Sequence, residues 1–111
     1  MYYIIIKNEH FRENIVKPSS ALALSREKVR QVITGSRLEN PRIFGSVLHG
    51  TDSETSDLDL LIDAPEGTTL FDILGLEGEL ESILGVPVEL LTPQDISAKF
   101  RSAVLAEAQP L

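Results

Sequence analysis

Asp57-Leu58-Asp59 places two carboxylates two positions apart, and Gly45-Ser46 precedes them by ten intervening residues. On an extended strand alternate side chains share a face. Asp57 and Asp59 therefore point to one side, and Leu58, Leu60 and Ile62 to the other. Carboxylates held that close repel each other unless solvent or a cation lies between them. Mg2+ suits such a pair: it takes one or two carboxylates, keeps waters and accepts its remaining ligands from substrate phosphates. A glycine-serine turn supplies backbone N–H groups that hold phosphate. A phosphate holder beside a cation holder is what moving a nucleotide out of its triphosphate requires.

Glu89 is a third carboxylate. In Pro87-Val88-Glu89-Leu90-Leu91 it opposes Val88 and Leu90, so it also leaves the core face. If its strand neighbours that of the aspartates, Glu89 joins them, holding a metal on the reacting side and helping to deprotonate an attacking hydroxyl. A solvent-facing glutamate fits the same strand geometry equally well. Gly45 alone also reads as a tight strand-to-helix turn, and Ser46 alone as a helix cap. The combination with Asp57 and Asp59 favours a nucleotide site, with Gly45, Ser46 and His49 on the nucleotide. His49 is placed to touch a phosphate, although a lone exposed histidine is more often inert. Arg42, Lys99 and Arg101 are the basic residues expected to approach the cleft, although for any one of them a surface charge is the better reading.

The elements that must position these residues are legible from turn signals and periodicity. Ser19 and Ser20 can cap a helix in which Leu22, Val29, Val32 and Ile33 recur near helical spacing, up to Gly35. Pro41 opens a strand over Arg42 to Phe44. Gly45-Ser46 turns it into a short helical turn ending at Gly50, and Thr51 to Ser56 is a polar loop. Leu58 to Asp63 is the second strand. Thr68 or Thr69 caps a helix to about Leu84, whose Leu70, Phe71, Leu74, Leu80, Ile83 and Leu84 are expected to face a core, weakened by Gly75 and Gly78. Pro87 to Leu91 is the third strand. A C-terminal segment follows from Thr92-Pro93, anchored by Phe100, Val104 and Leu105. The order α-β-α-β-α-β-α predicts an α/β (α+β) fold: a small mixed three-stranded sheet with helices mainly on one face.

The 111 residues suggest one domain with a single core, and the absence of cysteine excludes disulfides and thiolate metal sites. No apolar run approaches a membrane span, and Tyr2 to Ile6 is too short for a signal-peptide core, so the expectation is a cytoplasmic protein with no membrane partner. Net charge is −7, and no Lys or Arg occurs between Ile43 and Ala98. Direct nucleic-acid binding, which draws on Lys and Arg at phosphates, is not expected. A basic protein partner is the sharper reading of the acidic stretch; solvated acidic faces are the plainer one.

Arg42-Ile43-Phe44-Gly45-Ser46-Val47 and Ser56-Asp57-Leu58-Asp59-Leu60-Leu61-Ile62-Asp63 resemble the signature of the DNA polymerase β nucleotidyltransferase superfamily, and in particular its minimal nucleotidyltransferase (MNT) antitoxins. The likeness runs on through Thr69-Leu70-Phe71-Asp72, Leu84 to Pro93 and Val104 to Ala108. It implies an antitoxin paired with a HEPN-domain toxin, in a hetero-oligomer, that moves AMP from ATP onto a tyrosine of that toxin with two Mg2+. By position, Gly45 and Ser46 would hold the triphosphate, and Asp57 and Asp59 the Mg2+. Glu89 stands where the family typically has a third aspartate, and His49 where arginine is common. Residues 1–17 form a leader outside the pattern, residues 18–111 the domain, and Val16 to Ser19 resembles a usual family start. Two alternatives stay open: an antitoxin with a weakened site that neutralises its toxin by binding alone, and a nucleotidyltransferase acting on a small molecule.

Overall fold

A computed structural model describes residues 16–111, so the expected leader lies almost wholly outside the described residues. Helix α1 spans Pro18–Thr34, with a proline in its first turn and a local break at Ser25 (φ −128°, ψ 18°). Proline is favoured there because its fixed φ is helical and its missing N–H has no helical acceptor in any case. Strand β1 is Glu39–Phe44, α2 is Ser46–His49 and β2 is Leu58–Asp63. Helix α3 is Leu70–Leu84, β3 is Val88–Leu91, a single 3-10 turn covers Pro93–Asp95, α4 is Ala98–Glu107 and β4 is Gln109–Pro110.

Among the described residues the sheet has four strands in the order β3-β2-β1-β4, one more than expected. The addition is the two-residue β4, antiparallel to β1; two residues are too few to carry an alternating pattern. β1 and β2 are antiparallel, and β2 and β3 are parallel. β1 starts earlier than Pro41, because Glu39 pairs with Asp63 across a register shift in which Asn40 takes φ 53°. That left-handed conformation is one asparagine tolerates better than most residues.

Leu58, Leu60 and Ile62 of β2 meet Leu22, Val29 and Ile33 of α1 and Leu76, Leu80 and Leu84 of α3 in the main core. Leu61 is also fully buried, although the strand alternation sets it on the face of Asp59. It lies outside that core, as does the buried Ile96, and the 3-10 turn packs against β2. The chain crosses from β3 to β4 here, and the crossing covers part of the face that carries Asp59.

Three expectations fail on α3. Leu70, Phe71 and Leu74 are 67%, 85% and 51% exposed, while Leu76, Leu80 and Leu84 turn inward. The buried stripe steps by four residues along the helix, and the three N-terminal apolar residues lie off it. Phe100 and Leu105 of α4 are likewise exposed rather than anchors. Thr69, not Thr68, is the cap: it accepts from the Asp72 N–H while Asp72 accepts from the Thr69 N–H.

The cap of α1 also differs from the expected Ser19 and Ser20. The Ser19 N–H donates to the Asp52 carboxylate at 2.9 Å, from a loop 33 residues away, and Asp52 is only 8% exposed. That hydrogen bond is the main cause holding the Asp52 carboxyl below its usual value. A lowered carboxylate contributes stability above its unfolded-state pKa and loses it as pH falls. Asp52→Ala is expected to cost about 1–2 kcal/mol at pH 7, the range for losing a charged cap, and less in acid. Urea unfolding at both pH values measures this.

Candidate active site

β1 ends at Phe44, and Gly45 turns the chain into α2 with φ 77° and ψ −151°. Glycine adopts that region freely and other residues do so under strain. Contact imposes a second constraint. A Cβ at Gly45 would stand 2.5 Å from Asp59 Oδ2 and 3.3 Å from its Cγ. The cause is register: Phe44 is the partner of Asp59, so the turn after Phe44 passes directly beside that carboxylate. The N–H groups of Ser46 and Val47 open α2 ahead of its first i to i−4 bond, from the His49 N–H to the Gly45 carbonyl, so their acceptors lie outside the helix.

On the other side of β2, Asp59 pairs with Glu89 of β3. Partners in register share a face, so Asp59 and Glu89 stand side by side on it, and Asp57 follows one residue before the start of β2. Asp57 and Glu89 are exposed and Asp59 is half-buried. The Asp59 carboxyl is pushed up from 3.8 to about 6, first by burial, then by the negative charges of Glu89 and Asp57. Asp59 thus feels the negative charge of both neighbouring carboxylates.

A divalent cation fits this donor set on electrostatic grounds. The site carries excess negative charge that a cation would neutralise, and every donor is a hard carboxylate oxygen. Among the described residues, no group of three or more His, Cys, Asp or Glu side chains has the geometry to hold a metal ion. A cation held here would have to keep waters and take phosphate oxygens beside these carboxylates, as Mg2+ does.

The basic residues are placed differently from expectation. Arg42 shares the face of Asp59 but is held by the Asp63 carboxylate at 2.7 Å and the Asn40 carbonyl at 3.0 Å. Arg101 donates to the carbonyls of Pro93 at 2.7 Å and Ile96 at 3.0 Å, fixing the crossing segment. Lys99 is exposed and lies 5.5 Å from the ring centroid of Phe100. His49 sits at the end of α2 with its Nε2 3.1 Å from a Glu107 carboxylate oxygen of α4, both side chains more than half exposed. Sequence reasoning missed Asp63 and Glu107 as the partners of Arg42 and His49. Asp63 was open to detection, because it continues the Asp57, Asp59 alternation; Glu107, 58 residues from His49, left no local signal.

Comparison with known proteins identifies the family and the fold. A family model described as a nucleotidyltransferase domain matches residues 24–111. A candidate protein adenylyltransferase of Methanocaldococcus jannaschii is 34% identical over 83 residues, covering 75% of this chain and 89% of its own. The protein adenylyltransferase MntA of Thermococcus cleftensis is 29% identical over 92 residues, covering 76% of this chain and 93% of its own. Among solved structures, a candidate minimal nucleotidyltransferase superposes with a TM-score of 0.74 at 39% identity, over 84% of this chain and 95% of its own. A toxin–antitoxin complex with AMP-PNP shares the fold, with a TM-score of 0.65 at 22% identity over 76% of this chain and 69% of its own. With a glycine turn against an aspartate pair, and a family match that takes in both, the chain belongs to the nucleotidyltransferase family.

Proposed function

We propose that this chain is a protein adenylyltransferase that acts as the antitoxin of a toxin–antitoxin pair, moving AMP from ATP to a tyrosine hydroxyl of a HEPN-domain partner. The observation that carries the reading is the contact between Gly45 and Asp59, which sets a phosphate-binding turn against the carboxylates. The backbone N–H groups of Ser46 and Val47 take triphosphate oxygens, and Ser46 adds its hydroxyl. Asp57, Asp59 and Glu89 would hold Mg2+, which supplies positive charge against the triphosphate when bound. Glu89, exposed at the open side of the row, takes the proton of the attacking hydroxyl. The hydroxyl oxygen forms its bond to the α-phosphorus as the bond to the bridging oxygen breaks, and pyrophosphate leaves.

Two kinds of observation support a protein as the acceptor. MntA–HepT toxin–antitoxin complexes share the fold. On α3, Leu70, Phe71 and Leu74 form an exposed apolar group, a surface suited to an apolar partner. A second reading, neutralisation by binding alone, draws on His49, whose ring is engaged by Glu107 rather than directed to a phosphate.

Intact-mass spectrometry of the protein encoded beside this one, incubated with this chain, Mg2+ and ATP, tests the reading. The expected result is a gain of one or more AMP groups that disappears with Asp57→Asn. A stable complex without any mass change would favour binding alone, and transfer to a small-molecule hydroxyl would point to a small-molecule nucleotidyltransferase.

A further inference from the structure

Among the described residues, β3 lies at one edge of the sheet. The Leu58 N–H donates to the Pro87 carbonyl at 2.8 Å, and Asp59 is in register with Glu89. This phase of a parallel pair turns the Glu89 N–H inward to β2 and the N–H groups of Val88 and Leu90 outward, where a further strand would bind. Both outward groups are taken. The Val88 N–H donates to the Glu81 carboxylate at 2.9 Å, and the Leu90 N–H to the Glu77 carboxylate at 2.8 Å. The two glutamates sit four residues apart on α3, a rise of about 6 Å. Two residues of strand rise about 6.6 Å, so one helical turn matches the spacing of the two amides. The order is reversed, Glu77 to Leu90 and Glu81 to Val88, as required of a helix running against its following strand.

We infer that Glu77 and Glu81 are positioning residues for Glu89: they clamp the strand on either side of it and hold its carboxylate in register with Asp59. Glu89 is exposed and sits on a strand of four residues that, among the described residues, is paired on one side only, to β2. Bonds to ionised acceptors are the stronger kind, and two of them bracket this residue. The same contacts occupy the donors through which another strand would join the sheet, which leaves the edge closed to strand addition. The inference rests on the reading of Glu89 as part of the site.

The test compares Glu77→Ala/Glu81→Ala with Glu77→Gln/Glu81→Gln, whose amide oxygens still accept from the same N–H groups. Glu79→Ala, an exposed glutamate of the same helix, controls for lost charge. Amide hydrogen exchange at Val88, Glu89 and Leu90 is measured together with kcat and KM for AMP transfer. In the alanine pair, exchange at these amides is expected to rise about tenfold or more, and kcat to fall about tenfold, with KM for ATP within about twofold. The glutamine pair restores both, and Glu79→Ala changes neither. Unchanged exchange in the alanine pair overturns the clamp, and so does a loss of kcat that the glutamine pair fails to restore. If the alanine pair does not fold, each single alanine variant is read at its own amide, Leu90 for Glu77 and Val88 for Glu81. If the wild-type chain transfers no AMP, the proposed function fails, while exchange at the three amides still decides the clamp.

Discussion

Asp59→Asn is expected to abolish nucleotide transfer and, at neutral pH without Mg2+, to make the protein more stable. Both effects follow from one environment. Asp59 is half-buried beside Gly45 and faces Glu89 and Asp57, so its carboxyl titrates near 6 in the fold against 3.8 as the ordinary value. For a carboxyl raised in this way, stability is fully present below the unfolded-state pKa and is lost as pH climbs through the folded-state value. The window runs from about 4 to about 6. At face value the shift corresponds to about 3 kcal/mol, and solvent access at a half-buried group reduces this to about 1 kcal/mol. Asparagine removes the penalty above pH 6 and gains little at pH 4. Thermal melts at pH 7.5 should place the variant about 4 °C above the wild type, with the gap shrinking toward pH 4. Added Mg2+ should raise the wild-type midpoint more than that of the variant, because a ligand stabilises only the fold that binds it. Transfer should fall by about a thousandfold or more in the variant, the scale of losing a principal electrostatic group. Lower stability of Asp59→Asn at pH 7.5 would refute the account of a site held at an electrostatic cost for function.

The site was more legible in the sequence than the surface that surrounds it, and the reason lies in range. Asp57 and Asp59 declare a shared side through a two-residue period, and Gly45 declares a turn through a backbone conformation other residues avoid; both signals are local. The placement of Glu89 needed one further fact, that β3 neighbours β2, which the structure supplies as an in-register pair. The direction of Leu70, Phe71 and Leu74 on α3 required the phase of the buried stripe. An apolar run at a helix start does not contain that phase, and two internal glycines remove further markers of it. Asp52 illustrates the other limit. Its role as the cap of α1 spans 33 residues, and nothing in Thr51 to Ser56 signals which helix end the loop will meet. Leu61 departs from simple alternation for a related reason: the chain returning from β3 to β4 covers part of the aspartate face, and that crossing is set by the topology rather than by the strand's own pattern.

Gly45→Ala is the substitution with the largest expected cost to the fold at the site, and its cost has two separable parts. The first is backbone: φ 77° with ψ −151° lies where an alanine is strained by about 1–3 kcal/mol. The second is contact, since the new methyl would stand 2.5 Å from Asp59 Oδ2 and 3.4 Å from Asp59 Cβ. The second distance is ordinary van der Waals contact; the first forces the carboxylate to swing away from its neighbours. Together these predict a loss of about 2–4 kcal/mol and a transfer rate reduced as far as in Asp59→Asn, because the displaced group is the same one. A double-mutant cycle with Asp59→Ala separates the parts. Alanine at 59 removes Oδ2 and Cγ and keeps Cβ, so the steric part vanishes and the backbone part remains. Gly45→Ala should therefore cost about 1–2 kcal/mol less in the Asp59→Ala background than in the wild type, as read by urea unfolding. Equal costs in the two backgrounds would mean that glycine is needed here for its conformation alone, and that the close approach of the turn to Asp59 does not constrain residue 45.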